Sequence, residues 1–190
     1  MIKVKEISRW LALLLWPTRV VVSAWALRVD GGLSYRLLVV FLFISSIVFA
    51  WWQKRLYLAS ISLVFICASS LNVYMQNSGA DGFSLIAAYT VLVFVLATAC
   101  FSSFLTYALK VNKPMIMVYL VGVIFLCLEF FWLLSLLAAD PIIKALLVAG
   151  LFHITFTMVA LYSWGRLSKA SFRWYVIISS LFFSVFIKIM

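Results

Sequence analysis

Acidic side chains are scarce in this sequence and histidine is scarcer, and both shortages exclude chemistry. The 190 residues contain five Asp and Glu and one His. A single histidine, with no second ligand one turn away on the same helical face, excludes a zinc site of the helix-borne kind. It also leaves no histidine box for a haem or a quinone. No glycine-rich phosphate loop is present, and none of the serines sits in a nucleophile motif. No cofactor and no metal is therefore expected. Charge of either sign is thin: 11% of residues are charged, where an average soluble domain has about 25%. The three cysteines, Cys67, Cys100 and Cys127, each lie inside an apolar run. An odd number so placed excludes a disulfide framework and reads as small packing residues.

Apolar sequence fills the space. Hydrophobic residues make up 67% of the chain, and the mean hydropathy is +1.21. Every polar gap between apolar runs is short, which leaves no room for a separate soluble domain. The expected fold is an all-α, polytopic transmembrane helix bundle, because only helices and closed barrels satisfy the backbone inside a bilayer. About seven spans are read, over residues 10–27, 36–52, 56–75, 83–109, 115–138, 142–164 and 174–187. Asp140-Pro141 ends the fifth, since proline has no amide hydrogen and disfavours helix in the residue before it. Ala24-Trp25-Ala26 resembles a cleavage site of small residues. Pro17 and Arg19 interrupt the apolar run before it, and the first span is read as retained.

The formal net charge of +10 would suggest nucleic acid in a soluble protein. Here the cations are scattered between spans with no continuous basic face, so no nucleic-acid partner is expected. Lys3, Lys5, Arg9, Lys54, Arg55, Lys110, Lys113, Arg166, Lys169 and Arg173 fall on one side. Arg28, Arg36, Lys144 and Lys188 fall on the other, and the loop around Asp81 has no cation. The positive-inside rule then places the N-terminus in the cytoplasm and the C-terminus outside. Short loops with this asymmetry suit a bacterial inner (cytoplasmic) membrane. On the fourth span, Ala97, Ala99, Ser102 and Ser103 are small enough for close helix packing.

Four polar residues fall within spans: Arg19, Asn72, Glu129 and His153. A charged group at the bilayer centre costs about 2.5–3.5 kcal/mol on insertion scales, so each needs a partner or a wet cavity. Glu129 lies nine residues before Ala138, about 13 Å inward at 1.5 Å per residue. His153 lies nine residues after Lys144 on the next, antiparallel helix, at a similar depth. Arg19 is again near the midplane, and Asn72 is close to the outer end of its span. A cation, an anion and an imidazole from three helices can therefore meet at one level. One outcome is an Arg19–Glu129 ion pair that holds helices together, with His153 bonded to a backbone carbonyl or to a hydroxyl such as Thr155 or Thr157. The other is a ligand- or proton-handling cluster.

Three functions stay open. The first is an accessory or structural subunit of a membrane assembly, with the lipid bilayer and a membrane protein as partners. The second is a small transporter or lipid- or ligand-handling protein built on the midplane cluster. The third is an intramembrane lipid hydrolase, which needs a second convergent acid or nucleophile that the sequence does not supply. An enclosed polar pocket around Glu129 would favour the second. A close-packed midplane with an apolar groove on one side would favour the first.

In Leu63–Met75, LVFICASSLNVYM, and Leu147–Leu161, LVAGLFHITFTMVAL, the order of small, apolar and polar residues resembles the YhhN (lysoplasmalogenase-like) membrane protein family. A last short apolar helix after a basic turn also resembles it. The resemblance implies eight spans and ether-lipid hydrolysis. The family's acidic positions fall near Ser70 to Asn72 and near Thr155-Phe156, and no acid stands at either. On this resemblance the chain would be a non-hydrolytic relative.

Overall fold

The computed structural model describes residues 2–29, 31–53, 56–78, 82–108 and 115–189. Within them the chain forms seven helices and no strand: α1 (Ile2–Arg28), α2 (Gly32–Gln53), α3 (Leu56–Ser78), α4 (Gly82–Ala108), α5 (Met115–Ser135), α6 (Pro141–Ser163) and α7 (Lys169–Ile189). The turn at Lys54-Arg55, the loop at Asp81 and the turn from Lys110 to Pro114 lie outside the described residues. Four stretches among the described residues are long and apolar enough to cross a membrane: Tyr57–Asn77, Leu85–Ser103, Val118–Ser135 and Pro141–Ser163. The exterior carries Val21, Leu33, Phe41, Ile86, Val118, Phe125 and Leu136, all exposed. A water-soluble monomer rarely shows so much apolar surface, and the architecture is consistent with an integral membrane protein.

Local chemistry fixes the helix ends. Asp140 caps α6, its carboxylate accepting from the amide of Ile142 at 2.7 Å. Pro141 follows at the first helical position, where its missing N–H costs nothing. At the other end Gly165 adopts φ +67°. Its amide donates to the carbonyl of Tyr162, and the amide of Arg166 donates to that of Leu161, both at 3.0 Å. This is the Schellman closure, which needs a residue at ease in the left-handed region. α5 stops at Ser135, short of the apolar run to 138, and the amides of Leu136 and Leu137 bond three residues back. α1 starts at Ile2, well before the apolar run at 10. Lysine and arginine are compatible with helix even where they are incompatible with lipid.

α3 is the axis of the bundle. It packs against α6, α4, α2 and α1. Of the four apolar stretches Tyr57–Asn77 is the most buried and Val118–Ser135 on α5 the least. Small residues make this possible: Ala59, Ser60, Cys67, Ala68, Ser69 and Ser70 are fully enclosed. Small side chains let helix backbones approach, the main source of packing energy once both sides are equally apolar. On α4, Ala99, Ser102 and Ser103 are enclosed too, and Ser102 bonds Ser60 at 3.3 Å. Most interior hydroxyls are turned back on their own helix: Ser69 and Ser70 to the carbonyl of Ile66, Thr98 to Phe94, Thr155 to Leu151. The core is thus made apolar even where its residues are not.

The turn between α1 and α2 is tied to this axis by Tyr35. Its hydroxyl bonds Ser70 at 2.8 Å and Ser69 at 3.3 Å, and its ring lies against Gly31. A Cβ on Gly31 would overlap Tyr35 Cδ1. Gly31→Ala is therefore expected to destabilise the fold by about 1–3 kcal/mol, the usual cost of overpacking. Tyr35→Ala in the same chain should remove that increment, and a double-mutant cycle of unfolding free energies checks it.

Candidate functional site

Helix α3 carries α2 on one flank and α6 on another, and these two helices make no substantial contact with each other. The gap is a groove of about 600 Å³ that opens sideways. Leu38 and Leu42 of α2, Ile61 and Phe65 of α3, and Leu146 and Ala149 of α6 form its walls. Gly150 hollows one of them. Ser46 and Ser62 also line it, but their hydroxyls donate to the carbonyls of Phe43 and Ala59 and are lost to the groove. His153 stands at its edge.

His153 is held by Tyr57, which sequence reading did not single out. The Tyr57 hydroxyl lies 2.6 Å from His153 Nδ1, 3.0 Å from the carbonyl oxygen of His153 and 2.9 Å from Thr157 Oγ1. Thr157 donates to that same carbonyl at 2.7 Å. The Tyr57 ring stacks on the imidazole and on Phe156, with centroids 5.6 and 5.2 Å apart. Tyr57 has one proton to give. If it goes to Nδ1, the neutral imidazole presents Nε2–H; if it goes to the carbonyl or to Thr157, Nδ1–H donates to Tyr57 and Nε2 is left an acceptor. Either way the ring is oriented by a partner on another helix. Thr157 was among the expected hydroxyl partners, and it bonds the backbone of His153 and Tyr57. Tyr57→Phe is expected to cost about 1–2 kcal/mol of stability. It should also move the ring ¹⁵N shifts of His153, the single histidine in the chain. Unmoved shifts would mean that the hydroxyl does not set the tautomer.

The other three candidates do not join His153. Arg19 is 1% exposed, on the flank of α1 that meets α2. Its guanidinium lies 5.0 Å from the ring centre of Trp16 and 5.9 Å from that of Phe43. Both terminal nitrogens lack a hydrogen-bond partner. Ring faces attract a guanidinium, but they leave its in-plane N–H groups unsatisfied. Asn72 is buried, and its amide donates to the carbonyl of Ala68 at 2.8 Å. Glu129 is exposed. The inward residues of α5 are Leu120, Val123, Cys127, Phe131 and Leu134. Two residues past Cys127 is about 200° round a helix of 3.6 residues per turn, so Glu129 points directly out. The Arg19–Glu129 ion pair is not formed: α4 stands between α1 and α5.

Lys144, read from sequence as a cation of an outer segment, is buried in the first turn of α6. The helix begins at Pro141, and this places Lys144 within it. No group of three or more His, Cys, Asp or Glu among the described residues is placed to hold a metal ion.

Comparison with protein-family models, with curated proteins and with solved structures found no match to this chain.

Proposed function

We propose that this protein is an accessory or structural subunit of a membrane assembly. The observation that carries the reading is the direction of Glu129. A transporter or an intramembrane hydrolase would aim its one mid-span carboxylate into the bundle, at a cavity or a second polar group. Here it faces away from the bundle, on a helix side that also exposes Val118, Phe125, Trp132 and Leu136. The interior is spent on packing, its hydroxyls mostly bonded to their own helices. A polar group on an otherwise apolar helix face is the pattern by which spans recognise one another.

In this reading the chain crosses a bacterial inner membrane seven times, N-terminus in the cytoplasm and C-terminus outside. The charge asymmetry of its loops supports that orientation. The α2–α3–α6 groove, apolar-walled and open on one side, also supports the subunit reading. A second reading, lipid or ligand handling, rests on the one oriented imidazole at its edge, that of His153. Kinship with the lysoplasmalogenase-like family remains a proposal on the residues already quoted. Its hydrolytic activity does not follow, because Ser70, Asn72, Thr155 and Phe156 offer no carboxylate.

Gentle detergent extraction of the tagged full chain from its native membrane, followed by mass spectrometry, tests the proposal. A stoichiometric assembly, of this chain with itself or with another protein, is expected. A single copy with only a bound lipid or small molecule would sink the subunit reading and turn attention to the groove.

A further inference from the structure

The fold leaves over two opposite charges. Arg19 is a buried cation whose terminal nitrogens bond nothing. Glu129 is an anion on an exposed apolar face. Each is costly alone in an apolar medium, and within one chain α4 keeps them apart.

Their levels along the bundle follow from side-chain contacts. Trp25 meets Tyr74, with centroids 6.0 Å apart, and α1 and α3 run parallel. Trp16, which covers the guanidinium, is therefore level with Phe65. Tyr35 bonds Ser69 and Ser70 on antiparallel α3, so Phe43, the second cover, is level with Ile61 and Ser62. On the other side Tyr119 meets Tyr162, with centroids 5.2 Å apart. Glu129 is thus level with Phe152 on antiparallel α6, beside His153, which bonds Tyr57. Glu129 and the two covers of the guanidinium differ in level by one to two turns, about 5–10 Å, a gap that the two long side chains must close. Copies sharing one membrane share one orientation, so this register carries over from one copy to the next.

We infer that a second copy of this chain supplies the missing partner: Glu129 on α5 of one copy pairs with Arg19, between α1 and α2, of the next. The inference rests on the subunit reading and names the partner. Charge complementarity selects the occupant. A two-fold contact of α5 with α5 would set Glu129 against Glu129 and leave Arg19 unpaired. The Arg19–Glu129 contact joins two different faces, so it is head-to-tail and makes a ring where the rotation closes. Trp16 is itself 39% exposed, and its displacement uncovers the guanidinium from the α1–α2 side. On α5, a Cβ on Gly122 would meet nothing within 4 Å. Gly122 lies two turns before Glu129 on the same face, and it lets an incoming helix come close.

The full chain is purified, reconstituted in phosphatidylcholine vesicles and followed by energy transfer between differently labelled copies. Wild type is expected to associate, and Glu129→Gln and Arg19→Gln each to weaken association at least tenfold. Glu129→Arg and Arg19→Glu should each abolish it, and the double variant should return to within threefold of wild type, with circular dichroism confirming that every variant is helical. A second measurement does not depend on the folding of Arg19 variants. Trp16→Cys chains mixed with Leu136→Cys chains, two positions at one level on this register, should form a disulfide between copies, and Leu136→Cys chains alone should not. Association untouched by Arg19→Gln, or disulfides only between Leu136→Cys chains, would overturn the inference in favour of a contact between like faces. A wild-type monomer in vesicles overturns it as well. If native extraction still yields a stoichiometric second protein, the subunit reading survives that failure; a lone chain in both experiments ends both.

Discussion

Glu129→Leu is expected to make the α5 segment about 3 kcal/mol easier to insert into a bilayer, since mid-span charges cost about 2.5–3.5 kcal/mol on insertion scales and leucine is slightly favourable. The size of the effect follows from the side that Glu129 takes. An inward carboxylate would be exchanged for leucine with loss of its partners and of packing, and the sign would be mixed. An outward one has only the surrounding medium to lose. Insertion precedes assembly, so pairing with another copy does not mask the effect. The apparent insertion free energy of α5 within the full chain is the quantity to measure. A change under about 1 kcal/mol would mean that Glu129 is compensated within its own chain.

The second large effect separates inside from outside among identical side chains. Phe152 is 0% exposed and stacks on Phe156 with centroids 5.9 Å apart, whereas Phe125 on α5 is 62% exposed. Phe152→Ala is expected to destabilise the fold by about 3 kcal/mol or more, and Phe125→Ala by no more than about 0.5 kcal/mol. In an apolar medium the difference cannot come from transfer out of water. It comes from dispersion contacts that a cavity leaves unmade. Reversible unfolding in mixed micelles compares the two. Equal losses would mean that the packing around α6 is not the packing described.

These two variants also show where sequence reading reached its limit. Counting residues from the ends of apolar runs gives depth, because a helix rises a fixed distance per residue. Glu129 and His153 lie at comparable levels on adjoining helices, whereas the Trp25–Tyr74 contact puts Arg19 level with Ala68, about ten residues along α3 from Tyr57. Counting does not give direction. A water-soluble helix marks its inner face with apolar residues and its outer face with polar ones. On α5 the inward Leu120, Val123, Cys127, Phe131 and Leu134 and the outward Val118, Phe125, Trp132 and Leu136 are chemically alike. Nothing in their order says which set meets α4 and α6. Tyr57 escaped notice for a related reason: a tyrosine near the start of an apolar run reads as an interfacial ring, and its partner is 96 residues away. The helices were legible wherever turn residues bounded apolar runs. The helix ends differ from the ends of the apolar runs for one reason. Apolar runs report where a chain tolerates lipid, while helices extend as far as backbone geometry allows, back to Ile2 in α1 and only to Ser135 in α5.

The enclosure of α3 has a consequence in time. A ribosome delivers this chain from its N-terminus, so α3 emerges before α4 and well before α6, the helices that cover it most. Until Pro141 and the residues after it arrive, the Tyr57 hydroxyl has no imidazole to meet, and the small side chains of α3 face lipid rather than α6. The centre of the finished protein is therefore a late product of its synthesis. A nascent chain stalled in the loop before α6 would hold an α3 covered on its α4 side and bare along the side that α6 later takes.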